Sequence, residues 1–480
     1  STGNTAKLLK KNKINVTLVS EITKFPEMLD GRLKSIHPNI FAGILADRKN
    51  KKHMNELKKL EINTIDLVVV NFYPFEEAFI KHGKIKEIIK NIDIGGPALA
   101  RAAAKNYKDV LVVVDKSDYN PLIEKIKSKK IDESSRADLA AKAFLHTARY
   151  ETIIGRYFAS KFLNGTFPDI FNFTFKKIQD LRYGENPNQK AAFYKSFWIN
   201  ETCISTAKQL QGKELSYNNI LDANDAFELI KDFEKPTAAV IKHTNPSGVA
   251  SAKTIHEAYK KAYETDATSA FGSVVALNRA CNAETAKIMR HLFVEVVICP
   301  KFERGALEIL KEKKNLRLLE TGPITRYYKS PDMRRVVGGL LVQTRQTPEI
   351  SAKNIKVVTK RKPTKEEMNA LIFAWKVNRH VKSNSIVLAK DNVTVGIGAG
   401  QMSRVDAVKL AVMKSEGKSN GSVMSSDAFF PFRDGVDEAA KAGITAIIQP
   451  GGSIRDKEVI EAANGHGMAM VFTGIRLFRH

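Results

Sequence analysis

Short apolar runs alternate with amphipathic stretches over the first 165 residues of the chain. The clearest runs, Leu67–Val70 and Val110–Val114, have the continuous apolar pattern of strands that are buried on both faces. Residues 134–163 follow a helical pattern rich in alanine, which ends at Asn164-Gly165. The alternation predicts βα units around a parallel sheet, in an N-terminal domain of residues 1–165.

A second α/β region is predicted for residues 181–480, after a linker at 166–180 that carries several phenylalanines. Its apolar runs predict strands, with helical patterns between them at residues 405–413 and 456–463. Because roughly 300 residues are many for one core, we expect two subdomains that divide within about 323–364. The predicted strands are Ala238–Lys242, Val294–Cys299, Ser385–Ala389, Ile444–Gln449 and Met468–Phe472.

The composition is that of a globular protein, with 43% hydrophobic residues. No apolar run approaches the roughly 20 residues that a membrane helix needs. The three cysteines, Cys203, Cys281 and Cys299, are scattered. Their spacing argues against a structural zinc site and a disulfide framework, and it fits a reducing, cytoplasmic location. The chain starts at Ser1 without an initiator methionine, and we expect a further segment upstream.

The formal net charge of +25 raises the alternative of a nucleic-acid-binding protein. The lysines are spread along the whole chain, however, and they are not interleaved with aromatic residues as in proteins that bind single strands. Solvated lysine-rich faces are therefore favoured over a nucleic-acid site. Their positive field would still attract anionic small molecules.

The run IKHTNPSG, residues 241–248, places two titratable donors at the end of an apolar strand. The Asn-Pro and Ser-Gly pairs that follow predict a tight turn. Strand ends before such turns are where α/β enzymes present catalytic groups, so Lys242 and His243 are candidate acid–base residues. A solvated strand end is the alternative interpretation.

Four segments of the N-terminal region are candidate ligand sites. STGNTAK opens a helical pattern, where free backbone N–H groups can cradle a phosphate, and GRLKSIHP places cations and a hydroxyl before a proline turn. NFYPF follows a buried strand, and IDIGGP precedes a helix that presents Arg101 and Lys105 on one face. A capped helix end, a solvated loop and an Asx turn are the structural alternatives.

The C-terminal region contains further polar turns, at RYGENPNQ (182–189), SAFG (269–272) and SNS (383–385). The glycine-rich turn at residues 396–404 does not have the GxGxxG spacing of a dinucleotide site, so we reject that interpretation. SDAFFPFRD, residues 426–434, combines three phenylalanines with two carboxylates, which suits a flat heterocycle. Core packing is the alternative for the phenylalanines.

Taken in order, these motifs together with FPEMLDGRLKSIHP, GIGAGQMSR and the terminal RLFRH resemble the bifunctional AICAR transformylase/IMP cyclohydrolase family of purine biosynthesis. The resemblance covers essentially the whole chain. It implies an α/β protein with a methylglyoxal-synthase-like N-terminal domain and two cytidine-deaminase-like subdomains. It also implies a cytoplasmic homodimer with transformylase sites at the interface, the substrates AICAR and FAICAR, the cosubstrate 10-formyltetrahydrofolate, and no catalytic metal.

The resemblance assigns formyl transfer to the C-terminal region. His243 would manage the proton of the attacking amine, Lys242 would assist at the leaving nitrogen or the oxyanion, and Asn384 would hold the formyl oxygen. His480, the last residue, matches a family position near this site, with a disordered tail as the alternative. The implied nucleotide and folate pockets contain Arg182, Tyr183, Gly272, Glu295, Arg404, Phe429, Asp434 and Arg476.

The resemblance assigns ring closure to the N-terminal domain, where we expect orientation of a single substrate to supply much of the catalysis. The implied polar groups are Lys34, Tyr73, Asp93 and Lys105, with Thr2, Gly3, Thr5, Arg32, Ser35 and Asn71 in the binding site. Family members carry an upstream strand and an SVSDKTG-like phosphate loop before the position of Ser1, and we expect the cyclohydrolase step to depend on that segment. Asn4 stands where glycine is usual, and Ser35 stands where threonine is common.

Three rival functions fit the sequence less well. A zinc-dependent base deaminase needs an HxE and PCxxC set, which the sequence lacks. An RNA-binding protein would show a steep salt dependence of nucleic-acid affinity and no folate binding. That function and a nucleotide-sensing regulatory module would both leave Lys242, His243 and Asn384 without a role.

Overall fold

The computed structural model of the chain describes residues 1–80, 83–163, 165–326, 330–346, 349–350 and 355–480. These residues form two compact units, Ser1–Thr174 and Phe175–His480. The segment predicted as a linker, residues 166–180, is therefore shared between the units, and residues 175–180 lie in a strand of the second unit. No helix in the described part of the chain is long and apolar enough to cross a membrane.

The first unit surrounds a short parallel strand pair with helices, as the alternating pattern predicted. Its described elements are α1 (Gly3–Lys11), α2 (Val19–Thr23), α3 (Pro38–Leu45), α4 (Lys51–Lys59), β1 (Leu67–Val69), α5 (Phe75–Ile80), α6 (Ile85–Lys90), α7 (Gly95–Lys105), β2 (Leu111–Val113), α8 (Tyr119–Lys127) and α9 (Glu133–Phe162).

Small side chains bring α7 close to the strands of this unit. β1 and β2 pair in parallel, with Leu67 opposite Leu111. Ala100, Ala103 and Ala104 on α7 are buried in one core with both strands and with Ala143 of α9. The long helix α9 is capped by Asp132, whose carboxylate accepts the backbone N–H of Ser135. This packing fixes the start of α7 beside the carboxyl end of β1.

The second unit contains the remaining described helices and strands. They are β3 (Phe175–Leu181), β4 (Ala191–Ser196), β5 (Lys208–Gln211), α10 (Tyr217–Ile230), β6 (Thr237–Lys242), β7 (Asn245–Ser251), α11 (Ile255–Thr265), β8 (Ser273–Leu277), α12 (Ala283–Arg290), β9 (Val294–Cys299), α13 (Arg304–Leu310), β10 (Arg317–Glu320), β11 (Pro331–Val336), β12 (Gly339–Thr344), β13 (Lys356–Val357), α14 (Lys365–Asn378), β14 (Ile386–Lys390), β15 (Val393–Gly398), α15 (Arg404–Lys414), β16 (Val423–Ser426), α16 (Asp434–Lys441), β17 (Ala446–Gln449), α17 (Asp456–Gly465) and β18 (Ala469–Phe472). All five strands predicted for this region are present, within two residues at each end.

Twelve of the described strands form one mixed sheet, in the order β13-β18-β17-β16-β14-β15-β7-β6-β8-β9-β10-β5. Its two halves repeat one arrangement. From the seam where β7 meets β15, each half has an antiparallel hairpin followed outward by three parallel strands. The halves α10–β10 and α14–β18 also have the same order of helices and strands.

The helices cover the two faces of this sheet in the same repeated way. One core runs under α10 and α14 and includes Phe227 and Trp375. On the other face, residues of α11 to α13 and of α15 to α17 form two separate cores. The second unit is one compact body, so the prediction of two subdomains stays a prediction. The predicted division at 323–364 lies between the two repeats, although part of that range is outside the described residues.

Candidate active sites

The hairpin of β6 and β7 presents Lys242 and His243. Lys242 ends β6 and pairs with Asn245, the first residue of β7. The two residues between them, His243 (φ +52°) and Thr244 (φ +63°), have the positive φ angles that a type I′ turn requires. His243 is therefore exposed at the tip of a two-residue hairpin.

The prediction of a tight turn at residues 245–248 is wrong, since these residues lie in β7. Pro246 is accommodated because the register shifts between Val240 and Ile241, which leaves Ser247 without an opposite residue. The Asn-Pro and Ser-Gly pairs thus mark a bulge and not the turn.

The Lys242 ammonium is held by a backbone carbonyl. Its Nζ donates to the carbonyl oxygen of Phe271 at 2.7 Å. Gly272, which was predicted to line a pocket, follows Phe271 with φ +71°, and its N–H donates to the Phe293 carbonyl at 2.9 Å. Gly272 thus anchors the chain beside the acceptor of Lys242.

Lys242 and His243 line a common cavity of about 240 Å³. Its other polar walls include Asp266, Ser269 and Lys414. Behind the turn, Asp222 of α10 accepts the Thr244 N–H at 2.7 Å. Burial raises the pKa of Asp222, and the nearby His243 opposes that rise. The structure thus brings a lysine and a histidine to one cavity, where they can donate and accept protons.

Asn384 lies two residues before β14, and its side chain is fully bonded. Nδ2 donates to the carbonyl oxygens of Gln401 (2.9 Å) and Met402 (3.1 Å), and Oδ1 accepts from Arg404 Nη2 at 2.8 Å. Arg404, which was predicted to bind substrate, is itself buried against Ser385 O and the carboxylate of Asp427. The Arg404–Asp427 pair therefore holds Asn384 in place.

The C-terminal residues are docked and not frayed. The N–H of Ser383 donates to the Arg479 carbonyl at 2.8 Å, and the N–H of Arg479 donates to Ser383 Oγ at 3.0 Å. Ser383 Oγ also donates to Asp427. The ring of His480 lies 5.6 Å from that of Phe478, on whose face the Arg476 guanidinium sits. These hydrogen bonds hold the segment that contains Arg476 and His480 against Ser383, the residue before Asn384.

Five other predicted pocket residues of the second unit make no recorded contact with Lys242 or His243 in the part of the chain that the structure describes. Arg182 and Tyr183 contact each other in the loop between β3 and β4. Glu295 accepts hydrogen bonds from Asn219 (3.0 Å) and Arg317 (3.2 Å). Phe429 and Asp434 are exposed near the start of α16. Among the described residues, no recorded hydrogen bond or ring contact joins these five to Lys242 or His243, so their role in binding stays a prediction.

In the first unit, Lys34, Tyr73 and Asp93 come together. Lys34 Nζ donates to the Tyr73 hydroxyl at 3.4 Å, and the N–H of Tyr73 donates to Asp93 Oδ2 at 3.3 Å. Asp93 Oδ1 accepts the N–H of Gly96 at 2.8 Å in the first turn of α7. An added Cβ on Gly3 would lie 3.9 Å from Lys34 Nζ, which places the start of α1 beside this ammonium. A cation next to a helix start suits an anionic ligand.

Other residues of the predicted site stand at its margin or away from it. Ser35 Oγ lies next to Gly95, and Asn71 donates to the Tyr119 hydroxyl at 3.1 Å. Thr2 is the residue before α1, and its side chain makes no capping hydrogen bond to the helix. Thr5 lies within α1, and Arg32 is exposed. Lys105 is the last residue of α7, about 15 Å along the helix axis from Gly95. The structure does not bring Lys105 to Lys34, Tyr73 and Asp93, because a rigid helix separates it from them.

Two residues hold these sites in roles that the sequence did not predict: Tyr150 has no signal in the sequence, and Asp427 was noted only as a carboxylate of a possible heterocycle pocket. Tyr150 of α9 accepts the Asp93 N–H at 2.9 Å and donates to the Asn91 carbonyl at 3.1 Å. Burial raises its pKa to about 12, so the hydroxyl stays protonated. Asp427 is fully buried at the centre of the Asn384 network. Only the folded chain shows that these two residues position others.

A buried histidine stands just before the Asn384 segment. His380 Nε2 lies 2.7 Å from Asp232 Oδ2, and Arg379 Nε donates to the same oxygen at 3.1 Å. Burial and the neighbouring Arg379 guanidinium lower the pKa of His380, although Asp232 opposes them. The imidazole is therefore neutral in the folded protein at neutral pH.

The free energy of unfolding should fall as the pH drops below about 6.5, the ordinary pKa of histidine. In that window the unfolded chain binds a proton at His380 and the folded chain does not, so acid favours unfolding. Urea unfolding between pH 7 and 5 measures the slope. His380→Asn, which can still bond Asp232, should flatten it, with His291→Asn at an exposed position as the control. An unchanged slope in His380→Asn would contradict a lowered pKa.

Comparison with known proteins shows which family the chain resembles. A family model described as an MGS-like domain matches residues 1–98, and one described as the AICARFT/IMPCHase bienzyme matches residues 103–414. The "Bifunctional purine biosynthesis protein PurH" of Acetivibrio thermocellus is 52% identical over 486 residues, and that of Thermoanaerobacter sp. is 53% identical over 482 residues. Each alignment covers 100% of this chain and 94% of the relative.

One solved structure, titled "Crystal structure of ForH", is 28% identical and covers 33% of this chain and 83% of that chain. Its TM-score of 0.28 carries no information about the fold. The family models and the full-length relatives are decisive without it. The chain belongs to the AICARFT/IMPCHase bienzyme family.

Proposed function

We propose that this chain catalyses two successive steps of purine synthesis. It transfers a formyl group from 10-formyltetrahydrofolate to the 5-amino group of AICAR, and it then closes the product FAICAR to IMP with loss of water. The observation that carries the proposal is the pairing of Lys242 and His243 at one cavity. Full-length relatives named as bifunctional purine biosynthesis proteins support it.

Formyl transfer needs proton removal and stabilisation of an oxyanion. The amine of AICAR is a poor nucleophile, because its lone pair is delocalised into the ring and the carboxamide. His243, exposed at the hairpin tip, takes the proton that the amine loses on attack. One N–H group of the Lys242 ammonium is hydrogen-bonded to Phe271 O. Its other two N–H groups can bind the oxyanion or protonate the leaving folate nitrogen.

The role proposed for Asn384 in this reaction is to bind the formyl oxygen through its side-chain amide. Both of its amide protons are engaged by Gln401 and Met402. If Asn384 is to hold the formyl oxygen, it must release one of these bonds when substrate binds. Its link to Arg404 keeps the amide oriented during that exchange.

Ring closure needs orientation more than nucleophile activation. The carboxamide nitrogen of FAICAR attacks the formamide carbonyl of the same molecule, so a site that fixes the reactive conformer removes much of the barrier. Lys34 and the Tyr73 hydroxyl lie within hydrogen-bonding distance of each other and can polarise the carbonyl oxygen. Asp93 can accept the proton that the nitrogen loses. The resemblance also implies Lys105, which lies at the far end of α7 from these residues, and it implies a homodimer.

Tyr150→Phe should slow ring closure without unfolding the first unit. The substitution removes the hydroxyl that joins Asp93 N–H to Asn91 O. The rate of FAICAR conversion should fall about two- to tenfold, as expected for a hydrogen bond worth roughly 0.5–1.5 kcal/mol. Tyr157→Phe on the same helix is the matched control, because the buried Tyr157 hydroxyl makes no hydrogen bond in the described structure. Equal rates for Tyr150→Phe and Tyr157→Phe would remove Tyr150 from the site.

A two-stage assay tests the proposed function. The purified chain receives AICAR and 10-formyltetrahydrofolate, and release of tetrahydrofolate is followed while FAICAR and IMP are quantified separately. Release accompanied by IMP supports both activities, and release with FAICAR accumulating supports formyl transfer alone. A folded sample that releases no tetrahydrofolate contradicts the proposal. Size-exclusion chromatography of the same sample tests the homodimer.

A further inference from the structure

The loop between α11 and β8, residues 266–272, carries the carbonyl that binds Lys242. Phe271 O is the acceptor; the Phe271 side chain is 66% exposed, and its ring lies 4.9 Å from the Phe293 ring. Apart from that ring contact, the position of this carbonyl depends on the anchors at the two ends of the loop. We propose that Lys414 and Asp266 are positioning residues for Lys242 in formyl transfer, and that they act through this loop.

The first anchor is a compact cluster centred on Asp266. Its Oδ1 accepts the Ser269 N–H at 2.9 Å, and its Oδ2 accepts the Ser269 hydroxyl at 2.6 Å. Lys414 Nζ, from the last residue of α15, reaches the same Oδ2 at 3.0 Å and Ser269 Oγ at 3.2 Å. Hydrogen bonds among Asp266 and Ser269 of the loop and Lys414 of α15 thus fix the first half of the loop.

The second anchor lies immediately after Phe271. Gly272 N–H donates to the Phe293 carbonyl at 2.9 Å, and its φ of +71° disfavours any side chain there. Nearer the first anchor, the Ala270 N–H donates to the Asp266 carbonyl at 3.1 Å. The carbonyl of Phe271 is held between these bonds, so loosening the Asp266 cluster would let it move away from Lys242.

Electrostatics make Lys414 the critical member of the cluster. Burial raises the pKa of Asp266, but the hydrogen bonds from Ser269 and the Lys414 ammonium outweigh burial and lower it from its ordinary value. The carboxylate is 13% exposed and therefore depends on a counter-charge. Without Lys414, a partly buried carboxylate is left at the wall of the cavity that Lys242 and His243 line.

The inference rests on the proposed formyl transfer and is tested by steady-state kinetics of the full chain. In Lys414→Ala, kcat for tetrahydrofolate release should fall between about tenfold and 100-fold, as small misplacements of catalytic groups do, with little change in the KM for AICAR. Lys414→Arg should restore most of the rate, because arginine can also bond the carboxylate. Lys409→Ala, an exposed lysine of the same helix, is the matched control.

A double-mutant cycle separates positioning from other roles. Because Lys414 acts through Lys242, adding Lys414→Ala to Lys242→Ala should cause no further loss of kcat. A multiplicative further loss would overturn the proposal, and so would a Lys414→Ala variant with a lower Tm and an unchanged kcat. If Lys414→Ala does not fold, Asp266→Asn, which keeps an acceptor for the Ser269 N–H, should give the same loss. An inactive wild-type chain would instead refute the proposed function itself.

Discussion

Replacing His243 with asparagine should lower formyl transfer by about two to four orders of magnitude, the scale of losing a general acid–base group. Asparagine is the informative substitution because residue 243 has φ +52°, and asparagine adopts this left-handed conformation more readily than alanine. The hairpin and its bond from Thr244 N–H to Asp222 should therefore persist. Stopped-flow measurement of tetrahydrofolate release, with AICAR binding measured by calorimetry, should show a loss of turnover and not of affinity.

Thr244→Asn is the matched control for this experiment. Thr244 has φ +63° in the same two-residue turn, and the bond that it gives to Asp222 comes from its backbone. This variant should retain most of the formyl transfer rate. If His243→Asn also kept a near-wild-type rate, His243 would have no part in proton transfer.

Replacing Arg404 with alanine should produce the largest loss of stability. It leaves the fully buried Asp427 carboxylate without its counter-charge, and breaking such a buried pair typically costs about 3–5 kcal/mol. The same change removes the Arg404 bond to Asn384, so formyl transfer should fall as well. Urea denaturation monitored by circular dichroism measures the free energy of unfolding.

Arg433→Ala is the control for Arg404→Ala. Arg433 pairs with Asp437 at 2.8 Å at the start of α16, but its side chain is 52% exposed. Water screens and replaces an exposed pair, so this variant should unfold like the wild type. Equal losses in the two variants would contradict the assignment of a structural role to the buried pair.

Much of the fold follows from the sequence because buried strands leave a strong local pattern. Val294–Cys299 is an uninterrupted apolar run apart from Glu295, and the structure places a strand at these residues. The alanine-rich helical pattern of residues 134–163 is also a local signal, and it corresponds to α9. Order among the strands has no such local signature, so the repeated halves of the twelve-stranded sheet appear only in the structure.

The candidate sites were predicted less completely, because their support comes from residues far away in the chain. Tyr150 lies 57 positions from Asp93, whose N–H it accepts, and Lys414 lies 148 positions from Asp266. The turn of Lys242 and His243 was misplaced because proline and glycine pairs mark bulges as well as turns. Lys105 shares a sequence motif with Asp93, but Asp93 lies before the start of α7 and Lys105 is its last residue.

One chain is expected to perform two reactions at two separate sites, and the products that site-specific variants make test this expectation most directly. His243→Asn should make no FAICAR from AICAR and 10-formyltetrahydrofolate, yet it should convert added FAICAR to IMP at the wild-type rate. Lys34→Ala should release tetrahydrofolate normally and accumulate FAICAR. If either substitution abolished both reactions in a folded protein, the assignment of one reaction to each unit would be contradicted.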